Sequence, residues 1–292
     1  TAFLVPGGLY EWLAMPFGLK NAPAVFQRKM DNCFRGTEDF IAVYIDDILV
    51  FSPDIESHAK HLNKMLEICV KNGLILSPTK MKLATEEVEF LGGVIKNSKI
   101  KLQPHIIKKI ANVQNEELMT TKGLRSWLGL LNYARSYFQD LGKLLGPLYR
   151  KISPTGDKRM NAQDWALVQQ IKQQVQQLPD LEIAPPNVAV IIESDGCMTG
   201  WGAICKWKHK KNDPISSEKI CAYASGKFYP VKPTIDAEIH GVMNALESFK
   251  IHYLDKREII VRTDCQAIIR FYGKSSSNKP SRARWIAFTD YI

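Results

Sequence analysis

The alternation of apolar and polar residues predicts both strands and helices along the chain. Apolar and β-branched residues run from position 40 to 52 on both sides of one charged pair, Asp46 and Asp47. This pattern predicts two short buried strands joined by a two-residue turn at these aspartates. Near the other end, residues 188–195 form an apolar run that ends on Asp195. That run predicts a buried strand with a carboxylate at its end.

Helical spacing of apolar residues predicts amphipathic helices around the first pair of strands. Residues 9–15 predict a strand, and Asn21 is a good N-cap for a helix that follows. Residues 57–72 predict a helix that Gly73 ends in the left-handed conformation. The predicted inward face of that helix comprises Leu62, Met65, Leu66, Cys69 and Val70.

The middle and the end of the chain predict different arrangements. Residues 120–135 predict a helix with a buried stripe of Leu124, Leu128 and Leu131. Gly129 in that helix costs roughly 1 kcal/mol against Ala, which indicates a close backbone approach, either by a ligand or by another helix. After Pro185 and Pro186, the pattern predicts strands at 188–195, 200–204 and 219–227, a helix at 236–253 and a strand at 257–262.

Composition indicates a globular chain with an uneven distribution of charge. The 292 residues are 45% hydrophobic and carry a net charge of +9, and no apolar run approaches the ~18 residues that span a bilayer. Residues 96–178 contain 14 Lys and Arg against 5 Asp and Glu, whereas residues 1–95 contain 9 against 12. A basic middle segment suits a part that binds a phosphate backbone, although a merely soluble basic face is the simpler alternative.

The six cysteines have no CxxC pair and no His spacing typical of zinc sites. We therefore interpret them as reduced core or surface thiols. The chain opens on Thr-Ala-Phe rather than on a basic segment followed by an apolar one, so we expect no secretory signal in it, and the start without Met suggests a piece of a longer protein.

Two sets of carboxylates are candidates for binding metal ions. Asp46 and Asp47 would repel each other at a turn, and a divalent cation would remove that repulsion. Asp195, Glu238 and Asp264 come from two predicted strand ends and one helix, so they can converge on two Mg²⁺ and hydrolyse a phosphodiester. Each acid also has an ordinary alternative, as a turn residue, an N-cap or a residue that favours the helix dipole.

Several motifs of the first 135 residues resemble those of reverse transcriptases. The string Tyr44-Ile45-Asp46-Asp47 resembles the polymerase signature, and the segment from Met15 to Pro23 resembles the loop beside the incoming nucleotide. The Phe90-Leu91-Gly92 element is similar to the turn that holds the primer end. Residues 120–135 are similar to the thumb helix that lies along the duplex minor groove. These resemblances imply nucleotide-binding roles for Phe17, Gly18, Tyr44 and Lys80, and nucleic-acid contacts for Leu91, Gly92, Arg125, Gly129, Tyr133 and Arg135.

The order of elements after residue 186 resembles the ribonuclease H fold, with Ser-Asp-Gly, Asp-Ala-Glu and Arg-Thr-Asp carrying its acids. With both halves, the chain resembles the reverse transcriptase–ribonuclease H of plant pararetrovirus polyproteins, of the caulimovirus and badnavirus type. The resemblance implies an α+β multidomain fold. We expect a palm with part of the fingers in residues 1–95, a basic helical thumb in 96–178 and an α/β ribonuclease H-like domain in 179–292.

The same resemblance implies cofactors and partners. We expect two Mg²⁺ per site, with Mn²⁺ as a substitute, and as partners RNA/DNA hybrids, DNA duplex template-primers and dNTPs. We expect no membrane partner and a location in the host cytoplasm with virus-like particles; the sequence leaves the oligomeric state open.

This chain departs from the family pattern in two places. The family's first polymerase aspartate would precede Thr1, and its fourth ribonuclease H acid would follow Ile292, so Asp290 is not that acid. The alternative to an enzyme is therefore a non-catalytic fragment, or a dimer-partner subunit, that binds template-primer.

Overall fold

The computed structural model describes residues 2–273. The chain divides into two compact units, Thr1–Phe90 and a second unit that begins at Leu91. The predicted domain limits at 95 and 178 remain predictions, and the part of the third predicted domain after residue 273, with Asp290, lies outside the described residues. Within residues 2–273, no helix combines the length and the apolar character needed to cross a bilayer.

The first unit contains five short strands and two helices with a small core. Its elements in chain order are β1 (Ala2–Val5), β2 (Gly8–Glu11), α1 (Ala22–Cys33), β3 (Ile41–Tyr44), β4 (Asp47–Val50), α2 (Ile55–Asn72) and β5 (Glu87–Phe90). Its core cluster of buried residues is Met30, Phe34, Ile41, Met65 and Cys69. The strand predicted over 9–15 is displaced, because β2 ends at Glu11 and pairs with β1 in a hairpin.

The turn between β3 and β4 lies one residue earlier than predicted. Tyr44 pairs with Asp47 across the hairpin, so the turn residues are Ile45 and Asp46, and Asp47 is the first residue of β4. Ile45 has a φ of 54°, and its N–H donates to the Oε1 of Gln27 at 2.5 Å. The Gln27 amide, which also donates to the carbonyl of Val43 at 3.2 Å, is a long-range partner that turn propensities do not include.

Helix α2 has the predicted end but a wider exposed face. The side chain of Asp54 accepts from the N–H of Ser57 at 2.8 Å, which caps the first turn, and Gly73 closes the helix with a φ of 65°. Met65 and Cys69 are buried as predicted. Leu66 and Val70 are 43% and 82% exposed, so their predicted inward position is wrong within the described residues.

The second unit begins with a mainly helical part. Its elements are β6 (Gly93–Lys96), β7 (Lys99–Leu102), α3 (Pro104–Ala111), α4 (Asn115–Leu118), α5 (Thr121–Tyr133), α6 (Leu141–Leu144), α7 (Gly146–Lys151), α8 (Ala162–Gln174) and β8 (Leu181–Glu182). The predicted stripe of Leu124, Leu128 and Leu131 is confirmed as part of its core. Strand β8 pairs with β7, so the predicted boundary at residue 178 falls between two partners of one sheet.

A four-stranded sheet backed by a helix forms the rest of the second unit. The elements are β9 (Ala189–Cys197), β10 (Gly200–Lys208), β11 (Lys219–Lys227), α9 (Thr234–Ser248), α10 (Lys250–Tyr253), β12 (Glu258–Arg262) and α11 (Gln266–Gly273). The strand order is β11-β10-β9-β12, with β12 parallel to β9. A core that includes Val190, Ile192, Ile239 and Val242 lies between the sheet and α9. The helix predicted over 236–253 is interrupted after Ser248 and continues as α10.

Candidate active site

Three acidic side chains from separate elements converge in the second unit. Asp195 lies on β9, Glu238 lies on α9, and Asp264 lies two residues after β12. One carboxylate oxygen from each lies within 4.8 Å of the others. The parallel register of β12 and β9 pairs Arg262 with Glu193, which brings Asp264 level with Asp195. The topology therefore brings together residues that lie 69 positions apart in the chain.

The close packing of α9 on β9 depends on Gly196. A Cβ at this position would lie 2.4 Å from the carbonyl oxygen of Ala237 and 3.0 Å from the Cα of Glu238. The N–H of Gly196 donates to the Oε2 of Glu238 at 3.2 Å. The absent side chain thus permits the helix to approach, and the backbone amide orients the helix carboxylate beside Asp195.

The environment of Glu238 disfavours its charged form in the absence of a cation. Burial raises the pKa of Glu238, the Gly196 hydrogen bond lowers it, and the neighbouring charges of Asp264 and Asp195 raise it further, so that the pKa lies above its ordinary value. A divalent cation would reverse these effects, because hard cations prefer carboxylate oxygens and favour the ionised form. The donor set therefore fits a divalent metal ion.

Asp195 and Asp264 line a cavity of about 410 Å³. Glu193 and Arg262 line it from the preceding residues of the same strands, and Lys143 lines it from α6. Asp195 and Asp264 are exposed to this space. The acidic cluster is therefore accessible to an extended ligand.

A network of ion pairs lies next to the acidic cluster. The guanidinium of Arg262 bonds Glu193 at 2.5 Å and Glu218 at 2.5 Å. Lys206 on β10 reaches Glu193 at 2.5 Å and Glu218 at 3.6 Å. The network links β9, β10 and β12 two residues before Asp195 and Asp264. Sequence reasoning missed it, although the Arg in the Arg-Thr-Asp string was a usable signal.

The first unit presents its acidic pair differently. Asp46 and Asp47 are both exposed, in the turn and at the start of β4. Within residues 2–273, neither belongs to a group of three or more potential ligands. The structure therefore provides two adjacent carboxylates here, without a further acid from the described part of the chain.

The four residues with predicted nucleotide-binding roles are all accessible. Phe17 is fully exposed, and Tyr44 is half-exposed. Gly18 has a φ of 85° with open space around it, and Lys80 is the last residue of a short 3₁₀ turn. No hydrogen bond or ion pair of the described residues joins these four side chains, so their roles remain predictions.

Leu91, Gly92 and Tyr133 form one contact. The hydroxyl of Tyr133 donates to the carbonyl oxygen of Leu91 at 2.5 Å. A Cβ on Gly92 would overlap the Tyr133 ring, at 1.4 Å from its hydroxyl oxygen, and Gly92 has a φ of 72°. The turn at Leu91 is therefore attached directly to the end of α5, and Gly92 is required there for both reasons.

On the same helix, Gly129 has no atom within 4 Å of a Cβ built on it, and Arg125 is exposed. The alternative explanation of Gly129 by a helix–helix crossing is therefore wrong for the described part of the chain. Arg135, for which a nucleic-acid contact is predicted, also makes a hydrogen bond within the chain. One guanidinium nitrogen of Arg135 donates to the carbonyl of Ser225 at 2.8 Å, a long-range contact that the helical pattern could not indicate.

A second group of possible metal ligands was not predicted. Cys205, Cys221 and His252 place one ligand atom each within 4.8 Å of one another. A register shift between Cys205 and Lys206 and the short helix α10 bring them together, and sequence spacing gives no sign of this. Both cysteines are buried in the apolar core, and all six cysteines are free thiols.

Two segments of the chain match known protein families. Residues 1–95 match the family described as reverse transcriptase (RNA-dependent DNA polymerase). Residues 186–290 match the RNase H-like domain found in reverse transcriptase. Domains of these two families generally depend on divalent metal ions.

Similar proteins include viral polyproteins that are longer than this chain. Polyprotein P3 of Commelina yellow mottle virus is 63% identical over all 292 residues, which span 16% of that protein. The enzymatic polyprotein of Cauliflower mosaic virus (strain Strasbourg) is 36% identical over 297 aligned residues, covering 100% of this chain and 43% of the relative. The chain thus spans less than half the length of these relatives.

Solved structures show the same fold. A foamy viral protease-reverse transcriptase in complex with RNA/DNA hybrid matches 100% of this chain and 39% of its own, with a TM-score of 0.76 and 23% identity. The same viral protein with double-stranded DNA gives a TM-score of 0.74 at 24% identity, covering 100% of this chain and 60% of its own. The predicted α+β fold, with reverse-transcriptase elements followed by a ribonuclease H-like domain, is confirmed. The chain therefore contains a segment that matches reverse transcriptases and a later segment that matches their RNase H-like domain, and over its whole length it is similar to parts of longer plant-virus polyproteins.

Proposed function

We propose that the natural protein containing this chain synthesises DNA on RNA or DNA templates and degrades the RNA of RNA/DNA hybrids. The observation that carries this proposal is the convergence of Asp195, Glu238 and Asp264 within 4.8 Å. They lie in an RNase H-like domain that follows, in the same chain, a reverse-transcriptase segment with Asp46 and Asp47.

Asp195, Glu238 and Asp264, here called the triad, bind metal ions together in this proposal. Asp195 and Asp264, which line the cavity, would hold two Mg²⁺, or Mn²⁺ as a substitute, together with Glu238. When bound, such ions stabilise the charge that develops on the phosphate during in-line displacement. The N–H of Gly196 keeps the Glu238 carboxylate turned toward Asp195, so the oxygens are arranged before the ions arrive. Asp46 and Asp47 would hold the corresponding ions for nucleotide addition.

The partners follow from the exposed residues of the two units. dNTPs would bind near Phe17, Gly18, Tyr44 and Lys80. Hybrid or DNA duplex would contact Leu91, Gly92, Arg125, Gly129 and Tyr133, and the free nitrogens of Arg135 could add a phosphate contact. The open space at Gly129 supports this proposal, because it leaves room for a nucleic-acid backbone.

We also propose that the protein acts in the host cytoplasm with virus-like particles.

Two single substitutions test the two activities in the natural protein. Asp46→Asn should abolish metal-dependent primer extension and leave hybrid cleavage intact, because it removes charge from the first site alone. Glu238→Gln should abolish cleavage and leave extension intact. Loss of both activities from either change, with an unchanged melting temperature, would contradict two separate sites. Tight hybrid binding without any nucleotide incorporation by the unmodified protein would favour the non-catalytic alternative.

A further inference from the structure

Helix α6, whose Leu141 belongs to the first core of the second unit, contacts the sheet on which Asp195 lies. The N–H of Gly142 on α6 donates to the Oγ of Ser225 on β11 at 2.8 Å, and Arg135 donates to the carbonyl of the same serine at 2.8 Å. A Cβ on Gly142 would lie 3.0 Å from the backbone nitrogen of Gly226. The backbones of α6 and β11 are therefore in direct contact, with no room for an added side chain.

The residue before α6 also contacts β10, the strand next to β11. A Cβ on Gly202 of β10 would lie 2.3 Å from the Oδ1 of Asp140, so the residue before α6 sits against the sheet as well. Gln139, Asp140 and Lys143 then form one wall of the cavity that Asp195 and Asp264 line. A residue from outside the RNase H-like domain, Lys143, thus shares the space of the acidic cluster.

Of the two cationic side chains that line this cavity, Arg262 is in ion pairs with described residues and Lys143 is not. Four carboxylates line it, from Asp140, Glu193, Asp195 and Asp264, and the cations that line it are Arg262 and Lys143. Arg262 is already bonded to Glu193 and Glu218. Lys143 is exposed and, among the residues that the structure describes, makes no ion pair within 4.0 Å. An ammonium on a flexible stem is well suited to bind a phosphate as a point charge.

We propose that Lys143 binds a backbone phosphate of the nucleic acid presented to Asp195, Glu238 and Asp264. This inference rests on the proposed cleavage of RNA/DNA hybrids and adds a binding residue to it. The segment around α6 thus contributes to the substrate cleft of the next domain, and α6 holds the lysine in place through the Gly142–Ser225 contact. Lys143 orients the substrate and takes no part in proton transfer.

The binding test uses the natural protein in an Asp264→Asn background, which prevents cleavage during the measurement. Lys143→Gln should weaken the affinity for a short RNA/DNA hybrid about 5-fold at moderate salt. It should also reduce the slope of log K against log salt concentration by about 0.9, the value for one lost phosphate contact. Lys143→Arg should retain both the affinity and the slope. Lys71→Gln, which removes the same charge from an exposed residue outside both the cavity lining and the basic segment 96–178, is the matched control.

Cleavage kinetics in the otherwise unmodified protein provide the second readout. Lys143→Gln should raise KM for the hybrid about 5-fold and change kcat less than 2-fold, because the lysine binds substrate without touching the reacting atoms. If Lys143→Gln has the same affinity and the same salt slope as the Lys71→Gln control, the inference is overturned. A fall in kcat with unchanged KM would overturn it too. Failure of the unmodified protein to cleave hybrids would instead contradict the proposed function, whatever the binding of Lys143→Gln.

Discussion

The two acidic sites of this chain are built in different ways. Asp46 and Asp47 are neighbours in sequence, on a two-stranded hairpin next to a small core. Asp195 lies on a strand, Glu238 lies on a helix, and Asp264 follows the end of another strand. A larger core and direct backbone contact hold these elements together. Adjacent acids are easy to find in a sequence but leave the geometry of a site to other parts of the protein. Distant acids are harder to find, yet the fold that unites them also arranges them.

The largest effect should follow from separating α9 from β9. In Gly196→Val, the new side chain would meet the carbonyl of Ala237, since even a Cβ lies 2.4 Å from it. A displacement of about 1 Å can lower a catalytic rate about 100-fold, so we expect hybrid cleavage to fall by at least this factor. Primer extension should stay within about 2-fold, and steady-state assays of both activities measure the difference. If a folded Gly196→Val variant lost both activities equally, the two sites would not be independent of each other.

A smaller effect should follow from breaking the ion-pair network. Arg262→Gln would leave Glu218, whose side chain is 3% exposed, without its main partner. Removing one partner of a buried pair is strongly destabilising, and because Arg262 is 30% exposed we expect a loss of about 2 kcal/mol, less than for a fully buried pair. Urea unfolding measures this loss. Arg125 is exposed and makes no ion pair among the described residues, so Arg125→Gln is the control and should change stability little.

Arg262→Gln should also change how the stability of the protein depends on pH in the acid range. Burial raises the pKa of Glu218, but hydrogen bonds and charge from Arg262, with the charges of Lys206 and Lys208, lower it by more, and the pKa lies below its ordinary value of 4.5. A depressed carboxyl pKa contributes stability above the unfolded value, which is lost as the pH falls through the folded value. Stability below pH 4.5 should therefore fall less steeply in Arg262→Gln than in the unmodified protein. If stability falls equally steeply with pH in both proteins, the lowered pKa of Glu218 does not depend on Arg262.

The smallest effect concerns Gly129, where stability and binding should change in opposite directions. Ala at this open helical position should stabilise the protein by about 1 kcal/mol, because a Cβ has no neighbour within 4 Å. It should also weaken duplex binding, if a nucleic-acid backbone approaches there. Thermal unfolding and hybrid titration measure the two effects. Greater stability with unchanged affinity would show that the open face does not bind duplex.

The sequence predicted the sheet of the second unit well, because its strands are long apolar runs with clear ends. The strand over 219–227 and the stripe of Leu124, Leu128 and Leu131 are where the pattern indicated. Errors arose where a distant group decides the local structure. Gln27 shifts the hairpin turn to Ile45, and Ser225 holds Arg135. Leu66 and Val70 have helical spacing but face away from the described core.

Some residues of the candidate sites could be predicted from the sequence, and others could not. The three acids could be selected from strand ends and helix position, because those places are visible in the apolar pattern. The group of Cys205, Cys221 and His252 could not, since a β-bulge and a short separate helix create it. A role for Lys143 could not be seen in the sequence either, because the position of this residue depends on the contact between α6 and β11.

The most direct test of the account is a titration of the natural protein with Mn²⁺, followed by the electron paramagnetic resonance of the free ion. We expect the triad to bind Mn²⁺ without any ligand from the first unit. Asp195→Asn should therefore remove one set of bound ions, and Asp46→Asn should leave that set and its affinity unchanged. Mn²⁺ binding that is the same in Asp195→Asn as in the unmodified protein would contradict the account.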